Sequence, residues 1–249
     1  VGLEMEQQGG VAKKMFRAIS EKNINIDIIT TSEIKISALV SSDDALETLR
    51  AVHHTFDLGK VPAKIKSRPK QKPGSSLTAT KTMDVSRLSG MEDILIETIH
   101  LNQAEAQISM ANVPDVPGVA AEMFERISAG NVVVNLIVQS CGRSGKAMIT
   151  FTVPRKSVDS TLEVARKLAK KWQSDEPICH PAIAILSVRG TGLRSHTGLA
   201  YRMFKTLADG GINVNVVATS ERNIAVTVDE TYGAKGLKLL EKEFAGDMM

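Results

Sequence analysis

Val11–Ser37 reads VAKKMFRAISEKNINIDIITTSEIKIS and follows directly on Gly10. The chain spells this block twice more, as GVAAEMFERISAGNVVVNLIVQS from Gly118 and as GLAYRMFKTLADGGINVNVVATSERNIAVTV from Gly198. Counted from each glycine, Phe16, Phe124 and Phe204 fall six residues on. Asn25-Ile26, Val133-Val134 and Asn213-Val214 fall fifteen and sixteen residues on. A repeat of this kind means that one small unit has been copied, and the question becomes what that unit does. A catalytic constellation is seldom built in triplicate, so the repeat also argues against most enzyme readings.

The third copy is the most complete. Ala182–Val188 is a β-branched and aliphatic run that predicts a strand. Gly190 and Gly192 read as loop glycines that break it, and Arg194–Gly198 reads as a polar turn. Leu199, Ala200, Met203, Phe204 and Leu207 recur at helical spacing, and Gly210-Gly211 ends that helix. Strands follow at Ile212–Ala218 and Asn223–Val228, then an amphipathic helix at Tyr232–Phe244. The middle copy repeats this βαββα order, with strand Ala106–Met110, a helix from Gly118, strands Val132–Gln139 and Ala147–Val153, and helix Val158–Trp172.

A ferredoxin-like βαββαβ unit needs one strand more. Asp93–Leu101 (DILIETIHL) stands alone ahead of the middle copy and is predicted to supply it to the third. In the first copy Val1 aligns with Arg189, so part of its opening strand is expected to be missing, and the chain reads as a piece of something longer. The predicted fold class is α+β: tandem ferredoxin-like βαββαβ units, with antiparallel sheets covered by helices on one face. The units span 1–59, 104–178, and 93–101 plus 181–249, the middle one inserted in the last, with a linker at 60–92.

Each unit is small, and small units bury proportionally little surface, so pairing between units or chains is expected. Cys141 and Cys179 lie in unrelated contexts and predict no disulfide, which favours a reducing cytoplasm. No segment approaches the ~20 apolar residues of a membrane span, and no signal peptide is read. Lys60–Gly90 carries eight basic residues and one acid, a net of +7, against +3 for the whole chain. Pro62, Pro69 and Pro73 in the same stretch mark an extended, solvated spacer rather than a nucleic-acid tail.

Few motifs survive scrutiny. Gly190-Thr191-Gly192 lacks the third glycine spacing and the ribose-binding acid of a dinucleotide fingerprint. His53 and His54 are adjacent on a predicted helix, point different ways and cannot chelate one metal. No GxxxxGK[ST] loop and no GxSxG elbow occurs. No catalytic residues and no metal site are read. An RNA-binding sheet would stack bases on aromatics, but aromatics make up 4% of the chain and the predicted strands carry only Phe151. What remains is the loop Val113–Gly118 before the middle copy's first helix. Backbone N–H groups there suit a carboxylate and Asp115 suits an ammonium, although a plain turn with a helix cap accounts for the same letters equally well.

At this point the residues resemble a known family. Asp115-x-Pro-Gly118, with Asn131–Gln139 (NVVVNLIVQ) after the helix, is similar to the first of the paired ACT domains of aspartate kinases. Asn23–Val40 and Ile212–Val228 are similar to the second, as are the segments around Arg194–Gly198 and Ala51–Phe56. The resemblance implies a regulatory region with four ACT domains, of which this chain holds the second, third and fourth, in a cytoplasmic enzyme. The kinase domain of the family precedes its ACT domains. ATP and Mg would therefore belong to that absent domain, which phosphorylates L-aspartate, and this chain would hold no cofactor and have no activity of its own. The effectors implied are L-lysine and/or L-threonine, bound where two ACT domains meet. By matching position, Asp115 would hold the ammonium or hydroxyl side, Gly118 and Ala120 would give close backbone contact, and Gln139 a side-chain bond. Asn213 and Val214 would close the site from the facing domain. Asn25 and Ile26 would form a second effector site in the first copy, whose partner domain is read as absent. The middle and third copies are expected to pair with each other. Further expectations are a homodimer through ACT domains and no nucleic-acid or membrane partner. The alternative function is a free-standing ACT-type sensor or a subunit that regulates by interaction alone.

Overall fold

The computed structural model describes residues 10–32, 35–59, 95–141, 144–191, 193 and 198–248. The predicted linker at 60–92, the opening strand of the first copy and most of the polar turn before Gly198 lie outside the described residues.

The first copy forms α1 (Val11–Ser20), β1 (Ile28–Ser32), β2 (Lys35–Leu39) and α2 (Ala45–Thr55). After β3 (Leu95–Asn102), the middle copy forms β4 (Glu105–Pro114), α3 (Val119–Ala129), β5 (Ile137–Cys141), β6 (Lys146–Pro154), α4 (Val158–Trp172) and β7 (Ile178–His180). The third copy forms β8 (Ile183–Thr191), α5 (Gly198–Asp209), β9 (Val216–Thr219), β10 (Asn223–Asp229) and α6 (Gly233–Glu243). The first helix of every copy is followed by a left-handed residue at the same place in the repeat: Asn23 (φ 56°), Asn131 (φ 54°) and Gly211 (φ 69°). Glycine and asparagine tolerate that conformation best, which is why these residue types stop the helices there.

Two apolar runs read from the sequence as strands begin their ladders later, at Ile137 and Val216. Val132, Leu136 and Ile212 are buried. Before each ladder a few backbone bonds form, from Asn135 to Thr152 and from Thr152 to Leu136 in one run and from Asn215 to Thr227 in the other. Burial without ladder pairing gives the same apolar pattern as a strand.

β3 pairs along its length with β8, and the third copy's sheet has the order β3-β8-β10-β9. The other sheet has six strands in the order β2-β1-β5-β6-β4-β7. The middle copy is a full ferredoxin-like unit in which β7 lies beside β4, and the first copy's hairpin extends it through β1–β5. The expected pairing of the middle copy with the third is thus corrected: the middle copy pairs edge to edge with the first. The reason is topological. Only Gln103 and Ala104 join β3 to β4, and only Pro181 and Ala182 join β7 to β8. Such short corners fold the two sheets face to face and leave the β5 edge open to the first copy.

One core runs under α1, α3 and α4 and is shared by the first and middle copies, with Phe16, Ile19, Met123, Phe124, Ile137 and Phe151 among its members. Phe151 meets Phe124 edge-on at 5.8 Å, so the one strand aromatic is core and offers no base-stacking surface. A second core lies between the third sheet and α5 and α6. The sheet faces away from the helices meet through Leu136, Ile183, Ile185, Ala218 and Ala225, with Thr227 Oγ1 donating to Gln107 Oε1 at 3.0 Å. Helices therefore lie outside and two sheets inside. Among the described residues no helix is long and apolar enough to cross a membrane.

Gly190 is a strand residue rather than the loop glycine read from the sequence. It pairs with Ile96, next to a bulge in β3. A Cβ there would lie 2.2 Å from the carbonyl oxygen of Leu95. Gly190→Ala should therefore cost about 1–3 kcal/mol. Gly246→Ala, whose Cβ meets open space, should stay within about 0.5 kcal/mol. Chemical denaturation of both variants measures the difference.

Glu105 on β4 is 8% exposed, and burial pushes its carboxyl above the ordinary value against an opposing hydrogen bond from Thr152. Its favourable contribution is therefore complete below the unfolded pKa and is lost as pH rises through the raised folded one. Glu105→Gln should melt higher than the parent at about pH 8, with the gap closing toward about pH 4. Equal melting differences at both pH values would contradict this.

Candidate functional site

The first and middle copies meet about a local two-fold axis, because residues at equivalent positions of the repeat touch each other. Phe16 and Phe124 pack with ring centroids 5.6 Å apart, Arg17 Nη1 lies 3.3 Å from Glu125, and Thr30 pairs with Val138 in the β1–β5 ladder. Each off-axis feature thus has a mate, and the loop Val113–Gly118 of the middle copy comes to face the segment before β1 of the first.

The loop is shaped by its last residue. Gly118 is the N-cap of α3 at φ 94°, a backbone that side chains seldom adopt. A Cβ there would also sit 3.0 Å from Ser20 Oγ of the first copy. The chain therefore enters α3 with its first amides turned toward the first copy. The first four N–H groups of a helix have no partner within it. Ala120 and Ala121, in that turn, line a small cavity of about 20 Å³ together with Asn25, Ile26, Asp115 and Gln139.

Hydrogen bonds cross this junction. Asn25 Nδ2 donates to Asp115 Oδ1 at 3.0 Å, and Gln139 Nε2 donates to the carbonyl oxygen of Ile26 at 2.6 Å. Gln139 is 5% exposed, and its Oε1 is buried without a hydrogen-bond partner. Cys141 closes β5, and its thiol donates to the carbonyl oxygen of Asp27 at 2.9 Å. The α3 N-cap is a glycine and caps with no side chain of its own, while Asp115 Oδ1 is engaged by Asn25 and the backbone N–H of Asp115 donates to the carbonyl oxygen of Gly145. The junction thus gathers a carboxylate, an unpaired amide oxygen and the positive end of a helix, which together match an ammonium and a carboxylate.

Of the sequence-predicted residues, Asp115, Gly118, Ala120 and Gln139 come together here. Asn25 and Ile26 face them, in the place assigned to Asn213 and Val214. Asn213 is exposed and bonds Asn215, while Val214 packs on the third copy's own core. The assignment fails because the third copy stacks on the six-stranded sheet by its face and does not reach the β5 edge. Ser20 and Ile24 also line the junction and were missed; the signal available was the opposite charge of Arg17 and Glu125 at one repeat position. In the mate of this site Thr31 stands for Gln139 and Val133 for Asn25, so neither side-chain amide is repeated there. His53 and His54 lie exposed on α2.

The family model of the ACT domain matches residues 1–56 and 186–244. An aspartate kinase of Stutzerimonas stutzeri is 34% identical over 187 residues, which make up 75% of this chain and 44% of that protein. The chain thus spans less than half the length of that curated relative. The structure of aspartate kinase from Synechocystis superposes with a TM-score of 0.80 at 28% identity, over 97% of this chain and 38% of that one. A structure of aspartokinase alpha and beta subunits matches at 32% identity and a TM-score of 0.56, over 60% of this chain and 99% of that one. A repeat that folds as stacked and edge-paired βαββαβ units, matched in sequence and in structure by these proteins, places the chain as an ACT-domain region belonging to the aspartate kinase family.

Proposed function

We propose that the chain is the effector-sensing regulatory region of an aspartate kinase and that free L-lysine or L-threonine binds between the Asp115 loop and Asn25-Ile26. The observation that carries this is the buried, unpaired Oε1 of Gln139 beside Asp115 and the first turn of α3. An α-ammonium group would bond Asp115 and Gln139 Oε1, and the α-carboxylate would take the amides of Ala120 and Ala121. The cavity of about 20 Å³ holds roughly one water, so an amino acid enters only if the Asn25–Asp115 bond opens. Binding would then move the first copy against the middle one. That movement is the regulatory event: ligand shifts the population toward an arrangement that disables the kinase domain, with a coupling of typically ~1–3 kcal/mol. The parent enzyme would convert ATP and L-aspartate to 4-phospho-L-aspartate, and this chain would supply no residue to that step. Assembly as a homodimer belongs to the same proposal, with β9, at one end of its sheet, offering a strand edge.

Calorimetric titration should show binding of L-lysine or L-threonine, and Asp115→Ala should weaken it by about 1.5–3 kcal/mol. Unchanged affinity in that variant, or binding of neither amino acid, would overturn the assignment. The purified chain should form no aspartyl phosphate from ATP and aspartate. Light scattering should give twice the 26.9 kDa chain mass at micromolar concentration, and a monomer with and without both amino acids would remove the dimer.

A further inference from the structure

The second helix of each copy follows a short helical turn, at Ser42–Asp44, Arg155–Ser157 and Glu230–Tyr232, and these turns set the three helices in register. α4 and α6 each bury one face, whereas no residue of α2 is buried. α2 turns Thr48, Val52 and Thr55 toward its own copy, all half-buried, with Val52 on the shared core. On its opposite side stand Leu46, 58% exposed, Leu49, 55% exposed, and the exposed His53.

The repeat shows that this stripe is not the remainder of a core. Counted from the turn, Leu46 falls where α4 has Asp159 and α6 has Ala234, both exposed. The position faces solvent in all three copies, and the first copy alone places a large apolar side chain there. Leu49 falls where α4 and α6 have Leu162 and Leu237, both half-buried. Neighbouring apolar side chains left in water on one helix face mark a contact surface.

Spacings of three and then four residues, from Leu46 to Leu49 to His53, are those of a seam between two helices. The charges decide what the seam fits. Asp43 and Arg50 flank it on one side, both exposed and neither in an ion pair with another described residue. If a second α2 lies antiparallel, Leu46 meets Leu49 of the other copy and Leu49 meets its Leu46. Asp43 then stands beside Arg50 of the other copy, and two-fold symmetry makes that pair twice. A parallel arrangement would leave the same charges about 10 Å apart along the axis.

We propose that α2 is the docking surface for a second copy of this chain, with two α2 helices packed antiparallel through Leu46 and Leu49 and an Asp43–Arg50 pair at each end. The contact uses no residue of β9 and does not rest on the effector reading at Asp115. Two helical turns from each chain cover less than the ~800 Å² per partner of a standard interface, so the dimer should dissociate on dilution through the micromolar range.

Sedimentation velocity of the whole chain across that range tests this. Leu46→Asp installs the residue type that the middle copy carries at the same place. It should therefore keep the parent melting temperature while weakening the dimer about tenfold or more. Leu49→Gln gives a second route to the same loss. Asp43→Lys should also weaken association, and adding Arg50→Glu to the same chain should restore it, because both members of each pair are then reversed. A chain that stays monomeric throughout, or a dimer unchanged in Leu46→Asp and Leu49→Gln, overturns the α2 contact, and the second result assigns dimerisation to another surface. Failure of the doubly reversed chain to regain what Asp43→Lys loses overturns the antiparallel pairing.

Discussion

The arrangement depends on the short ladder between β1 and β5, in which Ile29 meets Gln139 and Thr30 meets Val138. The described part of the first copy has two strands and two helices, too little sheet to cover its own apolar face. By adding its hairpin to the β5 edge it gains four strands beside it and a core continuous with that of the middle copy. The same contact covers an edge that would otherwise be open to other chains. It also creates the Asp115 junction, since neither copy alone contains both walls of that site. Remove the ladder and the candidate site, the shared core and the six-stranded sheet disappear together.

The local two-fold axis shows how copied units become unequal partners. On the axis the repeat places arginine in the first copy and glutamate in the middle one, Arg17 against Glu125. The third copy has Lys205 at that position, which instead bonds Asp209 on its own helix. These exposed charges add little stability, since surface ion pairs are worth roughly 0–1 kcal/mol. They do discriminate, because two cations meeting on the axis would repel. Off the axis the sites have diverged in the same way, with Gln139 and Asn25 on one side and Thr31 and Val133 on the other.

Much of the fold was legible because the repeat supplied three readings of one pattern. The βαββα order of the copies followed from the period, and so did the assignment of 93–101 to the third copy, whose described part, from Leu95, pairs with β8. What the letters could not give was which copies pair, since β5 and β9 are nearly equivalent as strings. The decision lies in two-residue corners at Gln103-Ala104 and Pro181-Ala182, features of length and not of hydrophobic pattern. For the same reason the sequence grouped Asp115, Gly118, Ala120 and Gln139, which do lie together, but set Asn213-Val214 opposite them where the fold sets Asn25-Ile26. Gly190 was misread because a glycine that admits a neighbouring backbone looks the same, in sequence, as one that breaks a strand.

Those two corners have a mechanical consequence. A domain hung on one linker can turn about three axes. The middle copy leaves the third at the end of β3 and returns at the start of β8, and these strands are neighbours in one sheet, about 4.8 Å apart. Two attachments so close together suppress twisting about the chain and favour one remaining rotation, a rocking about the line that joins them. Motion started at the junction between the first and middle copies would therefore reach the third as a tilt of one sheet upon the other, opening or closing the space between them.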